Sequence, residues 1–152
     1  MNKHPLINAL KNGDLFESLA KEFGTPLYVY YQDRLVQNIN MINKGLAENF
    51  DAYHICYTIK ANSNPHLIRV LKSSVPALGA DCSSPGELYA ANQAGIKSDE
   101  CIYTGNYESE DDLKTALEAG AHINLDDITS FQRTVANGLP TDISFRLNPG
   151  FG

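Results

Sequence analysis

The chain of 152 residues has no long apolar run, no cluster of basic residues and little cysteine. No apolar stretch approaches the roughly 18 residues that a membrane-spanning helix requires. The first residues, MNKHPLINALKNGD, lack the apolar stretch of a secretion signal. Twelve basic and eighteen acidic residues give a net charge of −6. These features exclude a membrane span and argue against a surface for nucleic acid or anionic lipid.

Cysteine and histidine provide no recognisable disulfide or metal pattern. Cys56, Cys82 and Cys101 are odd in number and widely spaced, and no CxxC pair occurs. The four histidines are scattered, and none pairs with another at the spacing of metal ligands on a helix. We therefore expect a reduced, cytoplasmic protein without a bound metal.

The common glycine-rich nucleotide-binding motifs are also absent, because no predicted strand is followed by GxGxxG or GxxxxGK[ST]. The chain instead alternates short apolar runs with amphipathic segments. It begins with a predicted helix at 14–23, a strand at 27–31 and a second helix at 32–50. Five further strands, separated by helices, are predicted at 52–60, 77–81, 101–105, 121–126 and 142–147. This alternation is typical of βαβ units and a parallel sheet.

Polar residues stand at the carboxyl end of strand after strand: Lys60, Asp81, Asn106, Asp126, and Arg146 with Asn148. In a (β/α)8 barrel these positions converge on one mouth, where such barrels carry out their chemistry. Solvated loops account for Asn106 and Asp126 equally well. Lys60 is different, because it continues an apolar strand and shares a face with Thr58 by alternation. Lysine is rarely placed in an interior without a partner or a task.

The predicted fold is therefore α/β, the first part of a (β/α)8 TIM barrel. A full barrel takes about 250 residues, and five barrel strands precede Gly152. We expect residues 1–31 to form a helix and strand leading into the barrel, and residues 32–152 to form its first part. The chain is expected to be the front of a longer protein.

A lysine amine that is desolvated at a barrel mouth can act as a neutral nucleophile towards an aldehyde. Pyridoxal 5′-phosphate (PLP) is the aldehyde cofactor that uses lysine in this way. Position alone leaves two interpretations of Lys60 open, a covalent PLP site and a salt bridge.

Further motifs surround this lysine. YTIKANSNPHLIRVL (57–71) resembles a YAxKAN segment, and GADCSSPGEL (79–88) resembles G-x-D-x-x-S-x-x-E-[LI]. YTGNYESEDDLKTALEAG (103–120) is similar to a GN-K-S stretch, FRLNPG (145–150) to R-x-NP, and FGTPLYVYYQDRL (23–35) to the usual start of the same proteins. These are the fold-type III PLP-dependent decarboxylases, which include the diaminopimelate, ornithine and arginine decarboxylases. KANSN and SSPGEL resemble the diaminopimelate type more than the ornithine type.

The resemblance implies roles for three residues. Lys60 matches the catalytic lysine that binds PLP covalently, Asp81 an aspartate beside that lysine, and Arg146 an arginine near the ring hydroxyl of the cofactor. A fixed cation stabilises a phenolate, and arginine keeps its charge near neutral pH. Ser84 and Glu87 are explained by a capping box at the start of a helix.

The resemblance implies a PLP-dependent amino-acid carboxy-lyase that is a homodimer with shared active sites when full length. The expected reaction converts meso-2,6-diaminopimelate to L-lysine and CO2. Ornithine, arginine, carboxynorspermidine or an amino acid of a specialised pathway stay open as substrates, as does a non-catalytic homologue, a PLP carrier or a racemase of the same fold type. In the family the phosphate-binding loop and a C-terminal β domain follow this region, so this segment alone is expected to be inactive.

Overall fold

The computed structural model describes residues 13–150, and in these residues helices and strands alternate. Two helices come first, α1 (Gly13–Phe23) and α2 (Gln32–Asn49). The strands are β1 (Cys56–Thr58), β2 (Gly79–Cys82), β3 (Cys101–Tyr103), β4 (His122–Leu125) and β5 (Ile143–Phe145). The helices between them are α3 (Pro65–Ser74), α4 (Pro85–Gln93), α5 (Glu110–Ala119) and α6 (Ile128–Asn137). Short 3-10 turns span Ile59–Ala61 and Ser98–Glu100.

The five strands form one parallel sheet in the order β1-β2-β3-β4-β5. Each strand therefore lies beside the next one in the chain, with a helix as the crossover. A doubly wound sheet would reverse its strand order at a switch point, and this sheet does not. The observed order confirms the predicted α/β fold with the progression of a barrel.

Alternation along the strands divides the sheet into two faces. In β4, Ile123 and Leu125 are buried, whereas His122 and Asn124 are only half-buried. The buried positions pack with residues of the helices, such as Leu88, Leu113 and other members of the main apolar cluster. The half-buried positions lie on the opposite face, which corresponds to the interior of a barrel. This interior face carries polar side chains, so it is the face on which a site can form.

The helix starts follow the sequence signals closely. Asn64 caps α3 by accepting a hydrogen bond from the His66 backbone N–H, and Pro65 takes the first helical position. Ser109 and Asp112 form a reciprocal capping box at the start of α5. These local interactions fix where each helix begins and hence where the loop at the carboxyl end of each strand must stop.

Ser84 caps α4, since its Oγ accepts a hydrogen bond from the Glu87 backbone N–H at 3.3 Å. Ser84 lies outside the set of residues that line the cavity described below. We expect Ser84→Ala to lower the free energy of unfolding by about 1 kcal/mol and to leave enzymatic turnover unchanged. Denaturant unfolding of the full-length protein measures the first effect. Ser73→Ala, at an exposed position of α3, is the control. A large loss of rate in Ser84→Ala would place this residue in the site.

The strand predicted at residues 27–31 was wrong, because the structure has no regular secondary structure there. Its apolar and aromatic composition suggested a strand, but a strand also requires a neighbour, and none pairs with it among residues 13–150. Tyr28 is 88% exposed. The predicted helix at 14–23 is confirmed by α1, whereas residues 1–12 of that first unit lie outside the described residues.

In residues 13–150 no helix has both the length and the apolar character needed to cross a membrane. The cysteines Cys56, Cys82 and Cys101 are all free thiols. Within the same residues no group of three or more His, Cys, Asp or Glu side chains is arranged to hold a metal ion.

Candidate active site

A polar cavity of about 200 Å³ lies at the carboxyl end of the sheet. It brings together the three residues singled out in the sequence, and it is lined by Lys60, Asp81, Ser83, Thr104, Asn106, Asn124 and Arg146. These side chains come from the ends of all five strands and the loops that follow them. Because all five strands are parallel, their carboxyl ends lie at the same edge of the sheet, as the sequence predicted.

Lys60 lies in the 3-10 turn that follows β1, not in the strand itself. The strand predicted to extend to this residue ends at Thr58. The adjacent Ile59 is fully buried and anchors the turn in the apolar cluster. Lys60 itself is exposed and lines the cavity. The amine is therefore accessible to a ligand in the cavity.

Asn62 is held by several hydrogen bonds directly after Lys60. Its side-chain amide donates to the Tyr30 hydroxyl (2.9 Å), and its Oδ1 accepts from the Asn64 backbone N–H (3.0 Å). The Tyr57 hydroxyl donates to the Asn62 carbonyl (3.1 Å). Burial, followed by the neighbouring Tyr30, raises the pKa of Tyr57. These bonds hold in place the turn that carries Lys60, and Asn64 also serves as the N-cap of α3.

Asp81 is half-buried on β2 and faces the cavity. Its Oδ2 accepts a hydrogen bond from the Thr58 hydroxyl at 3.0 Å. Thr58 and Asp81 are register partners across β1 and β2, so the contact follows from the pairing of the strands.

Arg146 follows β5 and is exposed at the rim of the cavity. Its guanidinium donates to Asn106 Oδ1 at 3.3 Å, and its backbone N–H donates to the Leu125 carbonyl at 2.7 Å. Arg146 and Asn106 also line a neighbouring cavity of about 320 Å³, together with Asp126 and Asn148. Arg146 and Asn106 therefore line both polar cavities.

The loop that carries Thr104 and Asn106 packs against a buried carboxyl group. Glu108 is only 9% exposed, and its carboxyl lies so close to Gly105 that a side chain at that position would collide with it. Burial, followed by the negative charge of Glu108, raises the pKa of the nearby Tyr103 hydroxyl. Gly105 thus permits a close approach of backbone and side chain that fixes the loop beside the cavity.

A hydrogen-bonded network across three strands was not foreseen in the sequence. Asn124 donates to Thr104 Oγ1 (3.0 Å) and accepts from Ser144 Oγ (2.8 Å), and His122 Nε2 lies 3.0 Å from the same Ser144 hydroxyl. His122 and Asn124 occupy alternate positions of β4 on the interior face, Ser144 lies on β5, and Thr104 directly follows β3. The sequence did contain a signal for this network, because His122, Asn124 and Ser144 are polar residues within otherwise apolar strands.

Ser83 and Glu87 form a contact beside the cavity that the sequence did not predict. The predicted capping box would have paired the Glu87 carboxylate with the Ser84 backbone N–H. Glu87 Oε2 instead accepts from the backbone N–H (2.7 Å) and hydroxyl (3.1 Å) of Ser83. Because Ser83 lines the cavity, Glu87 orients a residue of the site as well as the start of α4.

The donor set of the cavity fits a cofactor that carries an aldehyde and an acidic ring hydroxyl. Lys60 supplies a primary amine for the aldehyde, and Arg146 a permanent positive charge for a phenolate oxygen. Asp81 supplies a carboxylate on the same side of the sheet. The residues present therefore suit PLP, the cofactor expected from the sequence.

Comparison with known proteins gives a family match. Residues 36–152 match the model described as "Pyridoxal-dependent decarboxylase, pyridoxal binding domain". This region contains all five strands and the whole cavity lining.

Individual relatives and solved structures similar to this chain are also decarboxylases. The chain is 34% identical over 141 residues to diaminopimelate decarboxylase of Thermoplasma acidophilum, covering 93% of this chain and 33% of that protein. It is 37% identical over 137 residues to diaminopimelate decarboxylase of Methanothermobacter thermautotrophicus, covering 88% and 31%. The crystal structure of diaminopimelate decarboxylase from Helicobacter pylori complexed with L-lysine has a TM-score of 0.74 at 30% identity, covering 88% and 34%. The chain thus spans about one third of the length of these relatives.

Proposed function

Because the chain belongs to the pyridoxal-dependent decarboxylase family and carries its pyridoxal-binding region, we propose that the full-length protein decarboxylates meso-2,6-diaminopimelate to L-lysine and CO2. The observation that carries this proposal is the convergence of Lys60, Asp81 and Arg146 on one cavity at the carboxyl end of the sheet. The same convergence argues against a non-catalytic homologue, which would have no need to keep an amine, a carboxylate and a guanidinium together there.

When bound, PLP supplies an electron sink for the negative charge that develops at the α-carbon of an amino acid. The Lys60 amine would hold the cofactor through its aldehyde, and the turn braced at Asn62 would aim that amine. Arg146 would stabilise the ring hydroxyl in its ionised form without changing its own charge. Asp81 would hold or accept a proton at Lys60 Nζ. Each role uses a group that lines the cavity.

The substrate is inferred from the relatives. The two relatives described above, from Thermoplasma acidophilum and Methanothermobacter thermautotrophicus, carry the name diaminopimelate decarboxylase, and the similar Helicobacter pylori structure is complexed with L-lysine, the expected product. Diaminopimelate decarboxylation would place the protein in lysine biosynthesis. The proposal extends to the organisation of the whole protein, with residues 1–31 leading into the barrel and residues 32–152 forming its first part, and to a cytoplasmic homodimer whose subunits share active sites.

The substrate is tested by release of CO2 from a panel of amino acids by the full-length protein loaded with PLP. The panel contains meso-diaminopimelate, ornithine, arginine, carboxynorspermidine and lysine at equal concentrations. We expect diaminopimelate to give the highest kcat/KM by at least about a hundredfold, with L-lysine as the product. A higher kcat/KM for another member would replace diaminopimelate as the substrate, and absence of CO2 from all of them would contradict the proposed decarboxylase.

A further inference from the structure

Thr58 and Asp81 make a cross-strand contact that nothing in the chemistry above uses. The Thr58 hydroxyl donates to Asp81 Oδ2 at 3.0 Å, and both residues are half-buried. We propose that Thr58 is a positioning residue, whose hydroxyl holds the Asp81 carboxylate in the orientation needed beside Lys60. This inference rests on the proposed function, because it gives Asp81 its partner in the same reaction.

The geometry of the strands makes this contact rigid. Thr58 and Asp81 are Cα partners in the parallel register of β1 and β2, so their side chains leave the sheet on the same face. Threonine is branched at Cβ, which restricts its χ1 angle and fixes the hydroxyl relative to the strand. The Asp81 carboxylate has two rotatable bonds and no such restriction of its own. A stiff donor on the neighbouring strand therefore selects one orientation of the carboxylate.

The contact also leaves the two carboxylate oxygens of Asp81 in different environments. Oδ2 accepts the Thr58 hydroxyl, whereas Oδ1 accepts no side-chain hydrogen bond from residues 13–150. Asp81 lines the same cavity as Lys60, and Lys60 belongs to none of the three ion pairs found in the described part of the chain. With one oxygen fixed by Thr58, the other stays available to a proton donor in the cavity.

The main alternative is that Thr58 is present only because threonine suits a strand. Valine has nearly the same shape and an equal or higher tendency to form strands, so it would satisfy that requirement without a hydroxyl. The two interpretations therefore differ in whether removal of the Thr58 hydroxyl lowers kcat. Thr58→Val removes the hydrogen bond and keeps the shape, whereas Thr58→Ser keeps the hydroxyl and removes a methyl group.

The test compares steady-state kinetics of these variants in the full-length protein loaded with PLP, using meso-diaminopimelate. We expect Thr58→Val to lower kcat about tenfold, because a hydrogen bond to a charged group is lost. KM is expected to stay within about twofold, and Thr58→Ser is expected to restore kcat to within about twofold of the wild type. Thr115→Val removes a hydroxyl that donates to the Asp111 carbonyl on the exposed face of α5, and serves as a matched control with unchanged kcat.

A double-mutant cycle establishes whether Thr58 acts through Asp81. In an Asp81→Asn background, we expect Thr58→Val to cause no further loss of kcat, because the group that it positions has already been altered. An equal loss in both backgrounds would overturn the inference, as would wild-type kcat in Thr58→Val or failure of Thr58→Ser to restore it. Inactive wild-type protein would instead contradict the proposed function, so the two failures are distinguishable. Thermal unfolding of each variant excludes loss of folded protein as the cause, and Thr58→Ala provides a second test if Thr58→Val does not fold.

Discussion

Replacement of Lys60 by alanine is expected to abolish both covalent attachment of PLP and decarboxylation. Among the residues of 13–150 that line the cavity, Lys60 alone carries a primary amine, the group that bonds covalently to the aldehyde of PLP. We expect the loss in kcat/KM to reach at least about a thousandfold, as is typical when a covalent catalytic group is removed. The absorption spectrum of bound PLP and the rate of CO2 release measure the two effects.

The fold should tolerate this substitution, because Lys60 is exposed and Ile59, not Lys60, anchors the turn in the core. Lys114→Ala is the matched control, since Lys114 is also exposed and forms a 3.8 Å ion pair with Glu118 on the surface of α5. It should keep the wild-type rate. Wild-type turnover in Lys60→Ala would exclude Lys60 as the covalent site, and because Lys60 belongs to none of the ion pairs of residues 13–150, it would leave Lys60 without an assigned role.

Replacement of Arg146 is expected to have the second largest effect. Its guanidinium is exposed at the cavity rim and, within residues 13–150, makes one side-chain hydrogen bond, to Asn106, at the long distance of 3.3 Å. The side chain therefore contributes little to folding and is available to a ligand. We expect Arg146→Ala to lower kcat about a hundredfold, because removal of one preorganised donor that stabilises developing charge typically has an effect of this size.

Arg146→Lys separates charge from geometry. It keeps the positive charge but loses the planar arrangement of donors, so we expect a rate between those of the wild type and Arg146→Ala. Arg69→Ala, which removes an exposed arginine that donates to the Gln93 carbonyl on the outer helices, should retain the wild-type rate. If Arg146→Ala mainly lowered the thermal unfolding midpoint and left kcat unchanged, Arg146 would be a structural residue.

Local signals in the sequence predicted the fold well. Asn64 with Pro65, and Ser109 with Asp112, define helix starts through contacts within four residues, and such contacts do not depend on the rest of the protein. Alternation of strands with helices then predicted the parallel sheet. The positions of Lys60, Asp81 and Arg146 at one edge follow from that topology alone, because parallel strands end on the same side.

The strand at residues 27–31 shows the limit of local signals. Its composition favours a strand, but pairing is decided by whether another strand is within reach, which the composition of one segment does not encode. The segment instead brings the Tyr30 hydroxyl to Asn62, across a separation of 32 residues. Propensity is a weak guide where tertiary contacts determine the outcome.

The network on the interior face was missed for a related reason. Asn124 meets Thr104 and Ser144 only because three strands are aligned in one register, and each pair is separated by 20 residues in sequence. A register shift of one residue would turn these side chains to the other face of the sheet. Sequence patterns predict which face a residue occupies, but not which residue lies opposite it.

The most direct test of the account is to map the site of PLP attachment in the full-length protein. The protein is incubated with PLP, reduced with borohydride and digested, and the modified peptide is identified by mass spectrometry. We expect a reduced PLP adduct on Lys60, within the segment YTIKANSNPHLIRVL, and no adduct at that position in Lys60→Ala. A folded protein whose adduct lies on another lysine, or that forms none, would contradict the central claim that the cavity at the carboxyl end of this sheet is a PLP site.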